Sequence, residues 1–179
     1  MKKNLLVAGV ISAGIFSLSA NNAMAADGRV NFIGTITDAT CTVVNTPANP
    51  LTVTLGTVSR TSLDGGSGKT AAPTSFNIAL TNCPTSLNGH TASVKFDGTS
   101  ATSDNSVLQL TQDNGVATGV GIQISDYTGN PLPLYTSSAA YKLVTGSNNL
   151  NFVARYKSIA DSVTSGPANS TSQFTIVYN

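Results

Sequence analysis

The residues best suited to covalent or acid–base chemistry are two cysteines, Cys41 and Cys83, and one histidine, His90. In an oxidising compartment an even pair of cysteines predicts a disulfide bond. Two buried free thiols or half of a metal site are the alternatives, but one histidine and no CxxC motif leave too few ligands for structural zinc. We therefore expect a disulfide, and we expect no metal and no cofactor.

Three further patterns are typical of ligand-binding or modified loops but lack the context that such chemistry needs. The run 65–70 ends like a phosphate-binding loop, yet Leu63 stands where that motif needs its first glycine. The run 119–121 begins like a dinucleotide-binding turn without the third glycine, and 169–171 fits a glycosylation acceptor only formally. Because nothing places a nucleophile on an elbow for His90 to activate, we expect no catalytic residues and no enzyme.

The composition of the 179 residues favours strands over helices. Charged residues make up 9% of the chain and all eight acidic residues are Asp, so the side chains that usually cover exposed helix faces are scarce. Strand-favouring Thr, Val and Ile are interspersed with turn-favouring Gly, Asn and Ser. With a net charge of +1 and no basic stripe, the chain is not expected to bind nucleic acid. We expect one all-β domain.

Residues 1–25 have the layout of a secretory signal peptide. Lys2 and Lys3 precede an apolar run over residues 5–18, and the small-residue triplet 23–25 follows, which predicts cleavage between Ala25 and Ala26. The apolar run is shorter than the ~20 residues that a bilayer span needs. We therefore expect export, an oxidising environment for both cysteines, and no transmembrane segment.

Alternating apolar and polar residues recur along the rest of the chain, separated by turn residues. Pro131 and Pro133 bracket a loop or edge segment. About eight or nine short strands of this kind predict an antiparallel sandwich. The apolar positions of these runs are Val30, Phe32 and Ile36; Leu51, Val53 and Leu55; Phe76, Ile78 and Leu80; Ala92, Val94 and Phe96; Leu108 and Leu110; Val120, Ile122 and Ile124; Leu150, Phe152, Ala154 and Tyr156; and Phe174, Ile176 and Tyr178.

The two ends of the exported part carry the most specific information. The notable features are the signal peptide, the Gly34-containing alternating extension ahead of Cys41, the spacing of Cys41 and Cys83, Gly166 and the penultimate Tyr178. Together these features resemble a pilin subunit of the type 1 fimbrial family. Residues 84–165 match only in composition and strand rhythm. On composition alone, residues 30–37 would instead be the first strand of a complete sandwich.

The resemblance implies an incomplete immunoglobulin-like β-sandwich that lacks its last strand and leaves a hydrophobic groove. In that family a periplasmic chaperone lends the missing strand, and the extension of the next subunit later replaces it. The implied domains are the signal peptide (1–25), a donor-strand extension (26–37) and a pilin domain (38–179). The implied partners are the chaperone, an outer-membrane usher and other pilin subunits, joined head to tail in an adhesive fimbria on the bacterial surface.

Residue roles carry over from the resemblance at both ends of the chain. The implied donor positions point into a neighbour's groove, with Gly34 where the groove has no room for a side chain; they are Val30, Phe32, Gly34 and Ile36. The implied C-terminal chaperone and groove motif comprises Gly166, Phe174, Ile176 and Tyr178. The alternative function is a soluble secreted module that binds carbohydrate or protein, with all strands in one chain.

Overall fold

The computed structural model describes residues 28–34, 36 and 40–179, and the chain divides between Ile36 and Thr37 into two units. The predicted signal peptide, the cleavage site between Ala25 and Ala26, and the first two residues of the predicted extension lie outside the described residues. Residues 28–34 and 36 are exposed and form no strand by themselves. We call residues 40–179 the sandwich domain. None of the helices among these described positions has the length and hydropathy to cross a membrane.

The sandwich domain contains seven strands among its described residues, arranged in two sheets. A four-stranded sheet has the order β1-β2-β6-β4, a three-stranded sheet has the order β5-β3-β7, and every pairing is antiparallel. The order β1-β2-β6-β4 corresponds to the ABED sheet of an immunoglobulin-like sandwich, and β3 and β7 correspond to strands C and F of the other sheet. The strands are β1 (Thr42–Val43), β2 (Thr74–Cys83), β3 (Thr91–Asp97), β4 (Val120–Asp126), β5 (Tyr141–Lys142), β6 (Gly146–Ser158) and β7 (Gln173–Tyr178), and short 3-10 helices cover Arg60–Ser62 and Thr85–Leu87.

The main core lies between the two sheets, where every second side chain of the long strands points inward. Phe152 of β6 meets Phe96 of β3 edge to face, with ring centroids 5.1 Å apart at 90°. Ile78 and Leu80 of β2 complete this layer and are almost fully buried. A second, smaller cluster gathers apolar residues from the loops and the start of β4: Leu63, Ala71, Leu110, Ala117, Val120 and Val163.

A bulge in β2 decides which residue faces the core at its end. The inward positions are even-numbered as far as Leu80, but the register against β6 shifts by one residue between Leu80 and Cys83. Asn82 adopts a left-handed backbone with φ of 51°, a conformation that asparagine tolerates better than most residues. The extra residue turns Cys83 inward, where it forms the predicted disulfide with Cys41.

Two details of the predicted strand pattern were wrong. Residues 51–55 alternate but form no strand, since no other described strand pairs with them, and Leu108 and Leu110 contribute only isolated bridges through Leu108. The two-residue strands β1 and β5 were not predicted, because two residues are too few to show a period. The runs at β2, β3, β4, β6 and β7 form the predicted strands.

Candidate functional site

The C-terminal strand β7 forms one edge of the three-stranded sheet and pairs with β3 alone among the described strands. In a complete immunoglobulin-like sandwich, a further strand follows this one and lies against its free edge. The β3–β7 register is regular, without a bulge, so the inward side chains of the two strands face each other in pairs. These pairs are Ala92 with Tyr178, Val94 with Ile176 and Phe96 with Phe174.

The inward side chains of β3 and β7 differ in how well they are covered. On β3, Ala92 and Val94 are 0% exposed and Phe96 is 4% exposed. Their partners on β7 contact the same core but are only half-buried: Phe174, Ile176 and Tyr178. Paired residues share one face of a sheet. The side chains that would complete the burial of these three residues are therefore absent from the side of β7 that faces away from β3. The sandwich is incomplete at this edge.

The backbone of β7 is also unpaired along this edge. Thr91 and Asn179 exchange two hydrogen bonds, of 2.8 and 3.0 Å. Bonded and non-bonded pairs alternate in an antiparallel ladder, so Phe174, Ile176 and Tyr178 direct their N–H and C=O groups away from β3. No other described residue bonds to these groups. The three residues that present half-covered side chains therefore also present a free edge for another strand.

One end of this edge lies beside the disulfide. Burial raises the pKa of the Tyr178 phenol, and a hydrogen bond with the Cys41 backbone acts in the opposite direction. Cys41 directly precedes β1, and Cys83 ends β2, so the disulfide fastens the first residues of the domain to the four-stranded sheet. The bond thereby fixes the backbone that Tyr178 contacts.

The predicted donor positions are exposed in the extension. Val30 is 74% exposed, Phe32 94% and Ile36 98%, which is unusual for large apolar side chains. A Cβ added at Gly34 would meet no described atom within 4 Å, so the free extension places no constraint on that position. Thr35 and residues 37–39 lie outside the described residues.

Gly166 lies in the loop between β6 and β7, apart from the half-covered strand. A Cβ there would overlap the Gly115 carbonyl oxygen and would lie 2.8 Å from the Ala117 nitrogen. The Ala117 N–H donates to the Pro167 carbonyl at 2.9 Å, which holds the two loops together. Close backbone packing is therefore sufficient to require glycine at this position, and membership of a recognition motif stays a prediction.

The residues considered for catalysis do not assemble into a site. The His90 N–H donates to the Leu87 carbonyl in a turn before β3. Lys69, in the phosphate-loop-like run, donates to the Asp64 carbonyl within its own loop. Across residues 28–34, 36 and 40–179, no group of three or more His, Cys, Asp or Glu side chains could hold a metal ion.

Comparison with known proteins agrees with the sequence resemblance. The family model described as fimbrial protein matches residues 30–179. The chain is 37% identical to a type-1 fimbrial protein subunit of Serratia marcescens, over 99% of both chains.

Solved structures share the fold. A type I fimbria protein and antigen of Burkholderia pseudomallei is 38% identical and superposes with a TM-score of 0.59 over 79% of this chain and 91% of that chain. A subunit of a chaperone–usher pilus, solved to explain rod uncoiling, is 24% identical, with a TM-score of 0.65 over 86% and 96% of the two chains. The incomplete sandwich is therefore the fold of fimbrial subunits.

Proposed function

The chain belongs to the fimbrial protein family and is a structural subunit of a bacterial pilus, and from this premise we propose that its subunits polymerise by donor-strand exchange. The extension of one subunit supplies the strand that β7 of the next subunit lacks. The observation that carries the proposal is the half-covered inner face of β7, in a chain whose extension exposes Phe32 and Ile36.

The two surfaces match in chemistry and in period. Phe174, Ile176 and Tyr178 are two residues apart along β7, and the donor positions Phe32, Gly34 and Ile36 have the same spacing. Burying one large apolar side chain contributes about 1.5–3 kcal/mol. Strand addition also pairs backbone groups that otherwise bond only to water, at about 0.5–1.5 kcal/mol each.

We propose an antiparallel orientation for the donor strand, because every pair in the three-stranded sheet is antiparallel. In this orientation, each inward donor residue lies directly opposite Phe174, Ile176 or Tyr178 and exchanges both hydrogen bonds with it. Gly34 then lies between two apolar donors, Phe32 and Ile36. Each subunit gives one strand and receives one. The head-to-tail contact therefore does not have to form a closed ring and can propagate into a fibre.

The same edge needs a temporary strand before assembly, because an unpaired apolar edge aggregates. We propose that a periplasmic chaperone pairs with β7 and that an outer-membrane usher exchanges it for the donor. Residues 1–25 would direct export to the periplasm and be removed between Ala25 and Ala26. The assembled product is a fimbria on the cell surface, with a structural and adhesive role and no catalytic step.

Two complementary variants test the proposal. Deletion of residues 26–36 leaves a subunit that accepts a donor but gives none, while Ile176→Asn leaves one that gives a donor but accepts poorly. Neither variant alone forms fibres, and a mixture of the two forms one-to-one dimers in sedimentation analysis. Fibres formed by the deletion variant alone would contradict the donor assignment.

A further inference from the structure

A shallow trough of about 230 Å³ lies on the four-stranded sheet, away from the half-covered edge of β7. Its floor is made by β2 and β6 at the paired residues Asn77 and Asn151, next to Ser75. These three side chains are exposed, because they alternate with inward residues such as Phe76. Tyr127 forms the wall. We call this feature the Tyr127 trough.

The wall of the trough is held in place by a tightly bonded turn. Asp126, the last residue of β4, accepts hydrogen bonds from the backbone N–H groups of Thr128 and Asn130, both at 2.9 Å. These bonds keep the pKa of Asp126 below its usual value, with the Thr128 hydroxyl making the largest contribution. The turn presents Tyr127 with 65% of its surface exposed.

A second tyrosine joins the wall to the floor. The Tyr141 ring lies 6.4 Å from the Tyr127 ring, at an angle of 55°. The Tyr141 hydroxyl donates to the Asn151 carbonyl at 2.6 Å. Strands from both sheets therefore fix the distance between the aromatic wall and the amide floor.

The floor offers hydrogen-bonding groups without charge. Asn77 donates through its amide nitrogen to the Asn149 amide oxygen at 2.9 Å, and its own amide oxygen bonds to no other described residue. The Asn151 side-chain amide is exposed and bonds to no other described residue. The lining contains no Lys, Arg, Asp, Glu or His. The trough thus combines the exposed Tyr127 ring with amide donors and acceptors and one hydroxyl. The partly buried Phe76 and Val153 and the buried Phe152 complete its lining.

The geometry points to a binding site for a neutral hexopyranose unit of a glycan. A pyranose ring has an apolar C–H face, which packs on a tyrosine ring, and an edge of hydroxyls that both donate and accept hydrogen bonds. Side-chain amides match such hydroxyls because each amide also both donates and accepts. Tyr127 would take the C–H face, and Asn77, Asn151 and Ser75 would bond the hydroxyls. The absence of a cation from the trough lining disfavours sialylated or phosphorylated sugars.

The site is separate from the polymerisation edge. Its floor belongs to the outer face of the four-stranded sheet, whereas β7 belongs to the other sheet. A donor strand at β7 fills the inner face, so each subunit in a fibre would retain its own Tyr127 trough. Many weak sites repeated along one fibre would give avidity to a glycan-bearing surface.

Saturation-transfer NMR on the intact exported chain tests the inference, with methyl glucoside, methyl mannoside, methyl galactoside and sialic acid as probes. We expect transfer to the pyranose C–H protons of at least one neutral glycoside, with a millimolar dissociation constant. We expect Tyr127→Ala and Asn151→Ala to weaken binding by about tenfold or more, which is 1.4 kcal/mol. Tyr127→Phe keeps the ring and should retain binding, as should Tyr135→Ala, which removes another exposed tyrosine.

Circular dichroism of each variant shows that the fold is intact before binding is compared. Transfer to none of the neutral glycosides, equal transfer in Tyr127→Ala, or a preference for sialic acid would each overturn the inference. These results do not depend on polymerisation, so they leave the donor-strand proposal unaffected.

Discussion

Ile176 lies directly opposite Val94 across the β3–β7 ladder, yet Val94 is fully buried and Ile176 is only partly covered. Both side chains point into the core between the two sheets, and they differ only in what lies next to their own strand on the other side. On its other side Val94 exchanges hydrogen bonds with Ser138, at 2.8 and 3.0 Å, whereas Ile176 has no described strand beside it. This difference between two paired residues locates the position of the absent strand.

Replacing Ile176 with Asn should block donor uptake while leaving the domain folded. The side chain is half-buried in the free domain, so the stability cost is modest, but a docked donor would bury the amide without a partner. We expect affinity for a peptide of residues 27–38 to fall by about tenfold or more, measured by calorimetry. Val177→Asn is the matched control, since Val177 is exposed on the outer face of the same strand. Equal losses in both variants would argue against a groove along the inner face.

Replacing Gly34 with Leu in the donor peptide should prevent docking without affecting the free extension. A side chain at Gly34 meets no described atom in the free chain, so any effect arises only in the docked state. We expect binding to weaken by more than about tenfold, because overpacking costs about 1–3 kcal/mol. Ile33→Leu changes an outward position and should bind as well as the parent peptide. Unchanged binding of the Gly34→Leu peptide would contradict the assigned register.

Replacing Gly166 with Ala should destabilise the domain even without a partner. The new Cβ would overlap the Gly115 carbonyl oxygen, and relief requires the two loops to separate. We expect the free energy of unfolding to fall by about 1–3 kcal/mol in urea denaturation. Ser165→Ala, at the exposed neighbouring position, should have little effect. If Gly166→Ala keeps its stability and loses only chaperone binding, the residue acts in recognition and not in packing.

Donor binding should weaken at high pH through Tyr178. Burial already raises the pKa of this phenol above 10.0, and a docked donor would bury it further and raise the pKa again. A group whose pKa is higher in the complex stabilises the complex below the free pKa and loses that contribution as pH rises through the bound pKa. We expect peptide affinity to be constant near neutral pH and to fall above about pH 10. Tyr178→Phe should abolish this fall, and an identical pH profile in that variant would exclude Tyr178 as its source.

Sequence reasoning predicted the strand β7 because it has one inward and one outward face, and such strands alternate clearly. Its role in accepting a donor came from the family resemblance and stays a prediction. The same alternation predicted β3. The oxidising environment expected after export predicted the disulfide between Cys41 and Cys83. The bulge at Asn82 could not be predicted, since it depends on pairing with β6, residues 146–158. The free backbone edge was expected only from the family resemblance, because alternation indicates which side chains share a face and not which backbone groups lack partners.

The Tyr127 trough shows the same limit more strongly. Its wall follows β4, and its floor comes from β2 and β6, so residues about 50 and 25 positions apart meet only through long-range strand pairing. Tyr127 stands in a turn with no alternation to mark it. Residues 51–55 illustrate the opposite error, since their alternation is clear but no other described strand pairs with them. Local pattern predicts strands, and topology decides which of them meet.

Thermal unfolding of the oxidised chain lacking residues 26–36 tests the central claim most directly, with and without an excess of the 27–38 peptide. We predict a large rise in melting temperature with the peptide, which appears slowly and barely reverses on dilution, because the peptide completes the sandwich at β7. The Gly34→Leu peptide should produce no rise. A domain that is equally stable with and without the parent peptide would mean that β7 needs no further strand, and would contradict donor-strand exchange.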